Sequence, residues 1–127
     1  MNDMSFNPRP AVLVVEDEFW VMTDVAETLR EHGFEDLCAA TGDEALPLLE
    51  NRPDIRVVFT DINMPGTMDG LQLAEAIEER WPDKSVIVTS GRVRPAEIAD
   101  RWPFIPKPYD PRAVAKRICS LLGLADN

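Results

Sequence analysis

The sequence predicts an α/β fold in which helices cover both faces of one doubly wound parallel sheet. Three observations carry that prediction. The strand-like segments are short unbroken apolar runs rather than alternating ones, the pattern of strands buried on both faces. They alternate with segments whose apolar residues recur at helical spacing, and such alternation builds crossover units around a parallel sheet. Finally, the runs lead into polar residues, Glu16-Asp17, Asp61, Thr89 and Lys107. Sites in such sheets form beyond the carboxyl ends of the strands, where strand order reverses.

Residues 1–10 hold polar turn formers and two prolines, so they read as a short disordered leader. Ala11–Val15 is the first strand. Met22, Val25, Ala26 and Leu29 then repeat at helical spacing, and Gly33 stands where a left-handed C-cap stops a helix. Glu35–Ala39 is a weaker second strand. Thr41-Gly42-Asp43-Glu44 fits a capping box, and Ala45, Leu48 and Leu49 supply the buried face of the helix it opens. Pro47 removes one helical hydrogen bond there, which predicts a bend or a tightened first turn.

Residues 55–60 form the third strand and deliver Asp61; Asp69-Gly70 is a turn into a helix through Leu71, Ala74 and Ile77 that Trp81-Pro82 ends. Residues 85–88 make the fourth strand, ending at Thr89. The stretch that follows carries Gly91, Pro95 and Pro103, with one amphipathic piece at 96–102, so a fourth helix is expected to be short or irregular. Phe104-Ile105 is a brief fifth strand. Asp110-Pro111 is an N-cap followed by proline at the first helical position, opening a last helix through Val114, Ile118 and Leu122 that Gly123 caps. The expected organisation is therefore a leader at 1–10, one domain at 11–123 and a tail at 124–127.

A chain of 127 residues with 45% hydrophobic content buries one core without disulfides. Its 23 acidic and 13 basic residues give a net charge of -10, which opposes contact with nucleic acid or anionic membranes. Cys38 and Cys119 are far apart and form no pattern with His32, which argues against a zinc or redox motif and for a reducing, cytoplasmic setting. His32 is expected to complement a helix dipole, and Trp20, Trp81 and Trp102 to be packing residues rather than ligand platforms.

Three carboxylates brought together repel one another strongly, so they either hold protons or share a cation. Oxygen ligands with no His or Cys nearby suit Mg²⁺ better than Zn²⁺. Asp61, at a strand end running into an exposed loop, can attack a phosphorus atom in line, while the Thr89 hydroxyl and the Lys107 ammonium meet phosphoryl oxygens.

Together, Val14-Val15-Glu16-Asp17-Glu18, Asp61-Ile62-Asn63-Met64-Pro65 with Asp69-Gly70, Val88-Thr89-Ser90 and Lys107-Pro108-Tyr109 resemble the receiver domain of two-component response regulators, over residues 11–122. The resemblance implies a flavodoxin-like sheet with strand order 2-1-3-4-5 and about five helices. It implies that Asp61 accepts a phosphoryl group from a phosphohistidine on a sensor histidine kinase or histidine phosphotransfer protein. Glu16, Asp17, Asp61 and the backbone carbonyl of Asn63 would hold Mg²⁺, and Thr89 and Lys107 would contact the phosphoryl group. Thr89 and Phe104, three positions before Lys107, would form the switch, with the fourth helix, fifth strand and fifth helix as output surface.

No effector segment follows residue 127, so a single-domain regulator is expected: a phospho-acceptor switch rather than a turnover enzyme, acting through an unidentified protein target or by passing phosphate onward. Homodimer formation is left open. Two departures stand out. Gly66-Thr67-Met68 is one residue longer than the usual loop and should enlarge the lip of the acceptor pocket, and the connection at 90–106 is short. Gly91 leaves no side chain to orient an attacking water, so slow to intermediate hydrolysis is expected. Two other classes compete: a phosphorylation-independent scaffold, and a Mg²⁺-dependent phosphatase with an aspartyl nucleophile. The latter would place an acid where Asn63 stands.

Overall fold

The computed structural model describes residues 9–91, 96, 98 and 100–125. Five parallel strands, β1 (Ala11–Val15), β2 (Glu35–Ala39), β3 (Ile55–Asp61), β4 (Ser85–Ser90) and β5 (Phe104–Pro106), form one sheet in the order β2-β1-β3-β4-β5. Four helices accompany them: α1 (Phe19–Glu31), α2 (Gly42–Asn51), α3 (Gly70–Arg80) and α4 (Pro111–Leu122).

The unbroken apolar runs are explained by how the pleat divides them. In β1, Val12 and Val14 face a cluster with Val25 and Leu29 of α1 and Val114 and Ile118 of α4. Leu13 and Val15 face the opposite cluster, with Leu49 of α2 and Leu73 and Ile77 of α3. Successive side chains point to opposite faces, and helices cover both, so every residue of β1 is buried.

Local signals act where the sequence places them. Thr41 Oγ1 accepts from the Glu44 N–H at 3.1 Å, and the Glu44 carboxylate accepts from Ala40 N–H at 3.0 Å, one residue upstream of the usual box partner. The α2 helix runs on through Pro47. Asp69 and Gln72 close a reciprocal capping box at the start of α3. Asp110 accepts from Arg112 N–H at 2.9 Å at the start of α4, and Gly123 caps its end with φ 69°.

Three expectations need correction. Among the described residues there are four helices, not about five; between β4 and β5 the described Ala96, Ile98 and Asp100 lie in turns, in keeping with an irregular piece. Ile98 and Trp102 are buried in the core. Pro95 lies outside the described residues, as do residues 1–8 of the leader. The fourth strand extends to Ser90, so Thr89 sits inside it. Trp20 is 75% exposed and stacks edge-on with Phe19 at 5.1 Å, whereas Trp81 and Trp102 pack as expected.

Arg9 is bonded through its main-chain N–H to Gly33 O and through its guanidinium to Cys119 Sγ and Ala125 O, joining the start of the described chain to its end. Among the described residues no helix is long and apolar enough to cross a membrane.

Candidate functional site

The sheet's hydrogen bonds deliver the polar residues to one edge. Glu16 N–H donates to Ala39 O at 3.0 Å, carrying the β1–β2 ladder one residue past the strand. Asp61, the last residue of β3, is the register partner of Thr89 in β4, and Ile62 N–H donates to Thr89 O at 2.9 Å. Lys107 N–H donates to Ser90 O at 2.9 Å just beyond β5. Because β1 lies between β2 and β3, the carboxyl ends of β1 and β3 are neighbours.

Glu16, Asp17 and Asp61 each offer a carboxylate oxygen within 4.8 Å of the others. Glu16 is 3% exposed and Asp61 5%, while Asp17 faces solvent. The Lys107 ammonium meets two of them: Nζ stands 2.7 Å from Asp61 Oδ2 and 3.0 Å from Glu16 Oε1, with Glu18 Oε1 at 3.7 Å. Burial pushes the Glu16 carboxyl above its ordinary value, and the Asp61 charge adds to this against the opposing Glu18 N–H and Lys107. For Lys107, burial favours loss of the proton, but hydrogen bonds to Asp61 and Glu16 outweigh it and hold the ammonium firmly charged.

Both oxygens of Asp61 are engaged, Oδ2 by Lys107 and Oδ1 by the Asn63 N–H at 3.0 Å, so the carboxylate is oriented in advance. The Asn63 amide donates to Ser90 Oγ at 3.2 Å. Negative charge outnumbers positive charge here and the donors are all oxygen, a set that fits Mg²⁺. Glu16, Asp17 and Asp61 can supply its protein ligands.

Thr89 is 1% exposed, and its Oγ1 has no hydrogen-bond partner. A buried hydroxyl without a partner is costly and uncommon, and an arriving acceptor oxygen would satisfy it. The Tyr109 hydroxyl is likewise buried and without a partner, with its ring edge-on to Phe59 at 5.5 Å. Phe104 is half-buried against the core. Beside Lys107 opens a cavity of about 460 Å³, bounded by Glu18, Val21, Asp24, Gly91 and Tyr109.

The structure thus brings together Glu16, Asp17, Asp61, Asn63, Thr89 and Lys107. It places His32 elsewhere in role: its Nδ1 meets Thr28 O at 2.9 Å at the end of α1. What sequence reading missed is the contact of Ser90 with Asn63 and the bond of Asp43 to the loop after β3. Both join residues distant along the chain with no motif linking them.

Residues 12–119 match the family model of the response regulator receiver domain. Among curated relatives, a Chemotaxis protein CheY homolog of Campylobacter jejuni is 30% identical over 120 residues, which cover 88% of this chain and 92% of that protein. An NtrX-like response regulator of Rickettsia bellii is 33% identical over 122 residues, 89% of this chain but 25% of the relative, so the chain spans about a quarter of that protein's length. Among solved structures, the response regulator TrrA of Thermotoga maritima, crystallised with Mg²⁺-BeF, superposes with TM-score 0.78 at 26% identity, covering 88% of this chain and 98% of that one.

Proposed function

Because the chain belongs to the response regulator receiver domain family, we propose that it is a signalling switch that takes a phosphoryl group on Asp61 from a phosphohistidine of a sensor histidine kinase or histidine phosphotransfer protein. The observation that carries this reading is the pairing of Asp61, held at both oxygens, with a buried Thr89 hydroxyl that lacks a partner on the next strand.

In the reaction, an Asp61 oxygen forms a bond to phosphorus as the phosphorus–nitrogen bond of the donor breaks, and the departing imidazole takes up a proton. Mg²⁺, held by Glu16, Asp17, Asp61 and the Asn63 carbonyl, would neutralise charge on the phosphoryl oxygens. Lys107 is placed to exchange its ion pair with Asp61 for one with a phosphoryl oxygen, and the Thr89 hydroxyl to donate to another. Satisfying that hydroxyl draws Thr89 toward the acylphosphate, and Phe104, packed beside β4, is the residue that follows in the switch. A downstream protein or a further phosphotransfer step then reads the change, in the cytoplasm, with no turnover of external substrate.

The phosphatase alternative is disfavoured by Asn63, whose amide is bonded to Ser90 and which carries no acid. The test is intact mass after incubation with Mg²⁺ and phosphoramidate. One added phosphoryl group, lost in Asp61→Asn, is expected. Rapid phosphoramidate turnover without an adduct would favour the phosphatase, and neither adduct nor turnover the scaffold.

A further inference from the structure

The loop from β3 to α3, residues 62–69, is fixed at its start by Asn63 bonded to Asp61 and Ser90 and at its end by Gly70 N–H bonded to Ile62 O. Its apex is held by a residue of another helix. Thr67 N–H donates to Asp43 Oδ2 at 3.1 Å and Thr67 Oγ1 to Asp43 Oδ1 at 2.7 Å, so one carboxylate takes two bonds from the residue that lies in the lengthened stretch.

The packing around this clip admits little else. Gly66 has φ 105°, and a Cβ there would stand 2.9 Å from Asp43 Oδ2; a Cβ at Gly42 would stand 3.0 Å from Met68 O. Asp43 lies in the first turn of α2, where backbone N–H groups favour a negative charge.

We infer that Asp43 is a positioning residue for phosphoryl acceptance: by clamping Thr67 against α2 it holds the loop that carries Asn63, and so the orientation of Asp61. The inference rests on the function proposed above. Asp43 touches neither Asp61 nor any group that reacts; it acts through the backbone between Thr67 and Asn63. The extra loop residue, which alone would leave the lip slack, is thereby tied down.

The test measures phosphorylation by phosphoramidate with Mg²⁺ at fixed donor concentration. Asp43→Ala should slow it about fivefold, the factor that one net hydrogen bond represents. Thr67→Val should give part of that loss but none in the Asp43→Ala background, and Thr67→Ser should keep the wild-type rate. Glu44→Ala, which weakens the start of α2 without touching the loop, should also keep it. Amide exchange at Asn63 should quicken in Asp43→Ala and not in Glu44→Ala. A wild-type rate in Asp43→Ala, equal slowing in Glu44→Ala, or fully additive effects of Asp43→Ala and Thr67→Val would overturn the inference. Should the wild-type chain take no phosphoryl group, the proposed function falls separately, and unchanged Asn63 exchange in Asp43→Ala then overturns the inference as well.

Discussion

Replacing Asp17 by Asn should stabilise the metal-free protein. Asp17 faces solvent, yet its carboxylate shares a 4.8 Å cluster with those of Glu16 and Asp61, while the ion pairs of Lys107 go to Glu16, Glu18 and Asp61. Neutralising Asp17 therefore removes repulsion without breaking an ion pair to Lys107. Two unit charges at 4.8 Å repel by about 1 kcal/mol in water and by about 3.5 kcal/mol at an effective dielectric near 20. Exposure puts Asp17 at the aqueous end, so two neighbours and solvent screening leave a gain of about 1–2 kcal/mol.

That gain corresponds to a rise in melting temperature of about 4–7 °C. Urea unfolding at neutral pH, with EDTA and with saturating Mg²⁺, reads it directly. In EDTA the variant should be the more stable protein. With Mg²⁺ at a hundred times its dissociation constant the wild type should gain about 2.7 kcal/mol and the variant much less, so the order reverses. Molar salt should shrink the EDTA difference. Equal or lower stability of the variant in EDTA, or a Mg²⁺ response as large as the wild type's, would refute the reasoning.

Burial holds the Glu16 carboxyl above 4.5, so the fold keeps a proton that the unfolded chain has released; metal-free stability should fall as pH rises from 4.5 through the folded value, and Glu16→Gln should remove this part of the slope in urea titrations across pH. Lys84, buried at the other end of the sheet, donates to the carbonyls of Pro53 and Ile55, so Lys84→Met should cost about 1–3 kcal/mol by leaving them unpaired, measured by chemical denaturation. A Cβ at Gly70 would stand 2.0 Å from Asp61 O, against backbone that cannot yield, so Gly70→Ala should cost more than about 4 kcal/mol and be seen as loss of the cooperative thermal transition.

The site was legible in the sequence to the extent that its residues end strands. A parallel sheet puts all its carboxyl ends on one edge, so Asp61, Thr89 and Lys107 converge once the runs before them are recognised as strands. Boundaries were less legible. Ser90 pairs with Pro106 and prolongs β4, a consequence of the neighbouring strand rather than of local preference. The 96–102 piece has the spacing of a short helix, yet Ile98 is buried from a turn and Trp102 from a bend, because the core accepts apolar side chains whatever backbone carries them. Trp20 shows the converse: read as a packing residue, it is exposed, because the buried face of α1 belongs to Val25, Ala26 and Leu29.

By itself the amino-acid order determined the alternation of strands and helices, the caps that start α2 and α4, and which polar groups fall near the carboxyl ends of the strands, because each depends on period or on neighbours within a few residues. Tertiary structure alone decided that Lys107 bridges Asp61 and Glu16, that the Thr89 hydroxyl is left without a partner, and that Asp43 holds Thr67. Those relations join side chains far apart along the chain, and their distances exist only once the sheet has closed and the helices have settled on its two faces.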